Sequence, residues 1–297
     1  MLPNTAVTSA VTRPNRRAET SGRSYWPAVG RALAYVVLIV ATIATIFPFV
    51  MMLFTSVTPQ SEVVSFPPRV VPATMTLENY RDIWTQIPFA LYFRNSVVYA
   101  TTVTLVSLLF DSMCAYALSR LSFRGREIVF IVILASMMVP AQVTMIPQFL
   151  NLTALHWVNT YQGLIIPHLT SAFGIFLLRQ FFLSIPRELE DAARIDGANE
   201  FRIYWQIILP LTKPALATLF VFHFTYNWND FLWPLIMTTS PTMRTLPTGL
   251  ALFMGEHNVQ YGLLMAGAAI SAAPLVLAFI FAQRYFVRGI VLSGLKE

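Results

Sequence analysis

Apolar and polar positions in this chain separate into long blocks instead of alternating at the short periods of a strand or a surface helix. The apolar runs fall at 32 to 54, 95 to 118, 128 to 147, 161 to 183, 214 to 237 and 263 to 284. Each is close to the ~20 residues that a helix needs to cross a hydrocarbon core of about 30 Å. No Asp, Glu, Lys or Arg occurs from Ile128 to Leu178, a stretch too long for one crossing. The polar segment Asn151 to Asn159 is therefore the predicted turn between two spans, with Trp157 and Tyr161 suited to the interface beside it. The pattern predicts an all-α integral membrane protein with six transmembrane helices.

The segment before the first run is rich in Thr, Ser, Pro and Arg and holds almost no large aliphatic residues, so it cannot bury enough surface to offset the entropy of ordering. Residues 1–30 are expected to be a flexible cytoplasmic tail and residues 31–297 one transmembrane domain. The first run has 23 residues, against about 7 to 15 in the apolar region of a secretory signal, so it reads as an uncleaved span. With six spans the two termini share a side. Sixteen of the 20 Lys and Arg residues then fall on that side, leaving Arg69, Arg81, Arg94 and Arg244 on the other. This asymmetry predicts N-in, C-in topology.

Composition agrees with the block pattern. Hydrophobic residues make up 56% of the 297 residues and charged ones only 11%, where soluble domains carry roughly 25%. The formal charge of +6 lies at span ends, which fits orientation in a membrane and not nucleic-acid binding. Cys114 is the single cysteine and lies within a span, so neither an intrachain disulfide nor a cysteine metal cluster is available. Pro48, Pro140 and Pro274 fall inside spans, where neighbouring helices can satisfy the freed carbonyls, and mark kinks. No internal repeat stands out. Neither a phosphate-cradling G-x-x-x-x-G-K-[ST] loop nor the His-Glu-x-x-His and Gly-x-Ser-x-Gly arrangements of hydrolases are present.

The most informative stretch is the cytoplasmic loop 184–212, between spans four and five. Pro186 suits a first helical turn, and Glu188, Glu190 and Asp191 complement its positive end. Leu189, Ala192, Ala193 and Ile195 fall on one side of a helix of about 11 residues, ~16 Å long. Gly197 can take the left-handed conformation that ends a helix, and Asn199 can cap a second one that runs to Ile207, Ile208, Leu209 and Pro210. A protruding helix-turn-helix is predicted.

The order Asp191-Ala192-Ala193, then Asp196-Gly197, then Ile207, Leu209 and Pro210, resembles the EAA motif of permeases of binding-protein-dependent ABC importers. Asp191 stands where the family usually has Glu, which keeps the charge and shortens the reach by one methylene. Further segments are similar to the MalG-like, carbohydrate-uptake branch: Ala115-Tyr116-Ala117 with Arg120, Phe123, Gly125 and Arg126; Val139-Pro140 with Gln142 and Pro147; Asn159-Thr160 with Gly163 and Pro167; Trp228-Asn229-Asp230; and Gln283-Arg284-Tyr285-Phe286. The likeness covers about residues 30 to 297. It implies a type I importer permease fold, a multi-pass location in a bacterial inner membrane, and a non-catalytic chain without cofactors. ATP and magnesium would be bound by two partner ATP-binding subunits, on which Glu190, Asp191, Ala192, Ala193, Asp196, Gly197, Ile207, Leu209 and Pro210 would dock. The implied partners also include a second six-span permease chain, of a different sequence by family practice, an extracytoplasmic solute-binding protein and membrane lipid. The implied cargo is a sugar or oligosaccharide, followed by glycerol phosphates. Gly197→Asp is expected to abolish uptake while leaving the chain in the membrane.

Several polar residues in the spans keep two readings. Asn227, Asn229 and Asp230 line the solute path or else cap and pair neighbouring helices, and Trp228 and Trp233 stack on a sugar or sit in the interfacial belt. Asp111, on span two, snorkels, pairs with a base such as Arg120 or faces a partner chain, with structural pairing favoured. His168 and His223 read as helix-bridging groups. Leu77 to Trp84 reads as a short amphipathic helix at the outer surface. The outer loop 238 to 262 either reaches toward a binding protein or is a connector turning at Gly249 and Gly255. The competing class is a proton-coupled secondary transporter that uses Asp111 and Asp230.

Overall fold

The computed structural model describes residues 28–65, 71–255 and 259–293, with side chains described through residue 284. The expected tail therefore lies almost wholly outside the described residues, as do Arg69 and Lys296. The chain divides into two compact units, residues 1–48 and 49–297. Most of helix α1 (Ala28–Ser56) belongs to the first, where Leu33, Val37, Ile39 and Ile43 are all more than half exposed, as lipid-facing aliphatics are. Pro48 lies inside this helix without ending it, as membrane helices permit.

In the second unit, α2 (Gln60–Val63) and α3 (Glu78–Gln86) precede α4 (Phe89–Arg120). The expected amphipathic helix is thus α3, and its inner face is anchored. Asn79 Nδ2 donates to the carbonyls of Ser56 and Thr58 at 3.0 and 2.9 Å, and Ile83 is fully buried. At 32 residues, α4 exceeds the apolar run that announced it, because its outer extension is buried in protein through Phe89, Tyr92 and Asn95. Next come α5 (Arg126–Ser136) and α6 (Ala141–Ala154), which meet at 97°. The expected third span is therefore a broken one. Pro140 has no N–H and disfavours helical geometry at Val139, and the chain turns there.

A left-handed His156, with Trp157 N–H donating to the Leu152 carbonyl at 2.9 Å, closes α6 within the predicted turn, whose first four residues are still helical. Span four consists of α7 (Tyr161–Ile165), a short turn over Ile166–His168, and α8 (Ala172–Leu183). Thr160 and Ser171 cap α7 and α8 through the N–H groups of Gly163 and Gly174. The loop beyond carries α9 (Glu188–Ile195), α10 (Glu200–Ile203), a π-helical turn over Tyr204–Ile208 and α11 (Leu209–Leu211). Span five is α12 (Lys213–Trp228), which follows the preceding helix at 77° and resumes, after a break at Asn229 to Phe231, as α13 (Leu232–Met237). After α14 (Leu246–Leu250), α15 (Tyr261–Ser293) is the last span. Among the described residues four helices are long and apolar enough to cross a membrane, or six if each bent pair is one span.

The core is built where α4 packs on α8 and α12, and α12 on α15. Gly174 marks a close approach of α8 to α4, since a Cβ there would lie 2.1 Å from Asp111 Oδ2. Part of the outer loop 238 to 262 is inside the fold, with Thr245, Leu246, Thr248 and Leu250 buried. Gly249 is helical and packs against the Tyr92 ring, and Leu246 N–H donates to Ser96 Oγ at 2.7 Å. Close packing, not a turn, explains that glycine.

Candidate functional site

The loop between α8 and α11 has the predicted form. Acidic residues fill the first turn of α9, and Pro186 lies just before it, so the helix spans 8 residues instead of about 11. Gly197 has φ +81° and Ala198 N–H returns to the Ala193 carbonyl at 2.9 Å, which reverses the chain. Asn199 Oδ1 then accepts from Arg202 N–H at 2.9 Å and starts α10.

The loop has an inner and an outer face. Glu190, expected on the docking surface, is only 2% exposed and turned inward. Its Oε1 lies 3.0 Å from Arg120 Nε at the end of α4, and Arg120 also donates to the carbonyls of Phe182 and Ile185 at the end of α8. Arg120 thus pairs with Glu190 and not with Asp111. Burial pushes the Glu190 carboxyl above its ordinary range, against the pull of Arg120 and Arg194. Arg194 bridges Asp191 at 2.9 Å and Glu200 at 3.1 Å, and Tyr116 hydroxyl donates to Glu200 at 2.6 Å. That hydroxyl first, then Arg194, hold Glu200 below the usual carboxylate range.

Asp191, Ala192, Asp196 and Gly197 lie on the outer face, while Ala193 tucks against the core beneath. Ile195 is 87% exposed and Phe201 69%, so the loop tip presents apolar surface between charges. Ile207 and Leu209 are half-buried, and Pro210 is exposed.

Along α12 the structure separates the residues expected to act together. Asn227 and Thr225 border a cavity of about 640 Å³ between α12 and the α7–α8 junction. Asn229 and Asp230 border a second, of about 540 Å³, against α6 and α13. Trp228 lines neither. It is buried against Phe93 and Phe224, with its indole N–H on the Ser271 carbonyl at 3.0 Å. Trp233, 3% exposed, gives its indole N–H to the Leu164 carbonyl at 3.3 Å, although its edge touches the second cavity. Both indoles are packed within the fold with their N–H groups hydrogen-bonded.

Asp230 caps the break in span five. One oxygen accepts from Tyr99 hydroxyl at 2.8 Å and the other faces Trp233 N–H at 3.4 Å. Asp111 is fully buried, with Oδ1 accepting from Thr170 hydroxyl and Ser171 N–H at 2.8 and 2.9 Å and Oδ2 lying 3.9 Å from His223 Nε2. His223 and His168 both border the larger cavity. Sequence reasoning missed Thr225 and Tyr226, which border both cavities. Their only signal is a polar pair inside an apolar run.

A family model described as "Binding-protein-dependent transport system inner membrane component" matches residues 107–292. The arabinooligosaccharides transport system permease protein AraQ of Halalkalibacterium halodurans is 38% identical over 254 residues, covering 84% of this chain and 91% of that protein. The sn-glycerol-3-phosphate transport system permease protein UgpE of Pectobacterium atrosepticum is 34% identical over 266 residues, covering 87% and 95%. A solved bacterial ABC transporter involved in the import of the acidic polysaccharide alginate superposes with a TM-score of 0.77 at 26% identity, covering 87% of this chain and 96% of that one.

Proposed function

Since this chain belongs to the inner membrane components of binding-protein-dependent transport systems, and is the multi-pass, non-catalytic permease subunit of an ABC importer whose ATPase is a separate chain, we propose a division of labour among its residues. Loop 184–212 is the cytoplasmic contact with an ATP-binding subunit, and the α12 wall is one side of the solute path. The importer class carries sugars, oligosaccharides or glycerol 3-phosphate, and a solute-binding protein delivers the cargo. A second six-span chain, of a different sequence, closes the path, and two ATP-binding subunits drive it.

The observation that carries this reading is the two-faced loop. Its outer face leaves Ile195 and Phe201 in the open beside Asp191 and Asp196, a combination suited to a cleft with an apolar floor and basic rim. Its inner face is tied through Glu190 and Arg120 to the ends of α4 and α8, the helices that border the larger cavity. Nucleotide shifts a permease between inward- and outward-facing states only through contacts that differ between those states, and this loop can make them at its outer face and pass them on at its inner one. Ile195→Glu is expected to leave the chain in the membrane, to release the ATP-binding subunit during purification and to abolish ATP-driven uptake. Retention of that subunit together with normal uptake would overturn the docking assignment.

A further inference from the structure

His168, Thr225 and Tyr226 border both cavities, so the two hollows are successive stretches of one groove along α12. Its side chains are of a particular kind. Tyr226 is 66% exposed and Phe222 55%; they stand four residues apart, hence on one face of the helix, and neither belongs to a core cluster among the described residues. The other hydrogen-bonding groups include Thr170 and Asn227 in one hollow and Gln142, Gln148 and Asn229 in the other, all neutral.

Charge in the groove is carboxylate only. Asp230 borders the second hollow, and Asp111 lies behind the first with Oδ2 buried and without a hydrogen-bond donor. No lysine or arginine borders either hollow. The two histidines do not change the sign, because His223 faces Asp111 at 3.9 Å and His168 lies within electrostatic reach of Asp230. A proton on either is balanced by the wall's own carboxylate.

We infer that this groove passes a neutral carbohydrate and is set against phosphorylated or uronate cargo. The inference rests on the assignment of the α12 wall to the path. Exposed rings fit the C–H faces of a sugar, and neutral amides and hydroxyls exchange hydrogen bonds with its hydroxyls. An anionic cargo leaving water needs fixed positive charge or charge-assisted donors to replace its hydration. This wall offers no lysine or arginine and instead places the carboxylates of Asp230 and Asp111 nearby, which discriminates by repulsion.

The test uses the complete importer, with its binding protein and ATP-binding subunits, in proteoliposomes. Labelled maltotriose, arabinotriose and cellotriose are offered in one set, and sn-glycerol 3-phosphate and trigalacturonate in another. ATP-driven accumulation is expected for a neutral member only. Tyr226→Ala is expected to lower that uptake roughly fivefold to tenfold, the worth of a lost aromatic contact, and Tyr226→Phe, which keeps the ring, to rescue most of it. Accumulation of the phosphate or the uronate would overturn the inference, as would undiminished uptake by a Tyr226→Ala, Phe222→Ala double variant. In a Cys114→Ser background, a bulky maleimide on Tyr226→Cys examines the path itself. Uptake of every cargo unimpaired by that label would overturn the path assignment and not the charge class.

Discussion

Two glycines separate two physical roles that the sequence alone leaves merged. Gly197 has φ +81°, and a Cβ built on it meets nothing within 4 Å. The cost of replacing it inside this chain is therefore backbone strain of about 1 to 2 kcal/mol, with Asn the mildest residue. Any larger effect of Gly197→Asp must come from the surface that approaches the turn. Gly197→Asn is expected to keep the loop folded; if it still lowers ATP-driven uptake as strongly as Gly197→Asp, space for the ATP-binding subunit is the requirement, and if it restores uptake, the turn is. Gly174 is the opposite case. A Cβ there falls 2.1 Å from Asp111 Oδ2, and the carboxylate is pinned by Thr170 and Ser171. Gly174→Ala is expected to cost about 1 to 3 kcal/mol through overpacking, read as a lower thermal midpoint of the purified complex. Combined with Asp111→Ala it should cost less than the two changes summed, and simple additivity would remove Asp111 as the obstacle.

At the scale of elements, the ends of α4, α8 and α9 are joined by one guanidinium. Arg120 meets Glu190 and the carbonyls of Phe182, in α8, and Ile185, just beyond it, all in a buried setting. Removing one partner of such a pair costs about 3 to 5 kcal/mol, because the other charge stays buried and uncompensated. Arg120→Met is accordingly expected to loosen α9 from the bundle, seen as faster amide exchange over residues 188–196 and as ATP hydrolysis no longer stimulated by the binding protein. Glu190→Met in the same chain should recover part of the lost stability without recovering stimulation, since the strut stays absent; recovered stimulation would count against it. The loop's helices, its glycine turn and its Asn199 cap were legible because each is a local signal within a few residues. The inward turn of Glu190 was not, since it depends on a partner 70 positions earlier on another helix. The break of span three shows the same limit. Composition from 128 to 147 announced a crossing, and Pro140 marked a kink, yet a proline by itself does not fix an angle, and the bend is 97°.

The whole molecule is one subunit of an importer. Block hydropathy gave the class and nearly all the spans, because the membrane imposes one length and one solvent on every crossing. The groove residues were legible only in part, because Asn227, Asn229 and Asp230 announced themselves by polarity, whereas Trp228 shares that motif and is buried, and Tyr226 resembles any interfacial tyrosine until its exposure is seen. A groove open along α12 cannot hold a polar cargo within lipid, and the exposed Phe222 and Tyr226 face outward from this chain's own core. Another protein surface must close it. Purification in mild detergent from the native membrane is therefore expected to retain a second six-span chain as well as ATP-binding subunits. In a Cys114→Ser background, Tyr226→Cys is expected to cross-link to that second chain with a short bifunctional reagent, at a yield that changes when ATP is added. Cross-linking only to another copy of this chain would replace the two-sequence path with a symmetric one. A yield indifferent to nucleotide would mean that the α12 wall does not move when the loop does, and the coupling proposed for Arg120 would then lack its output.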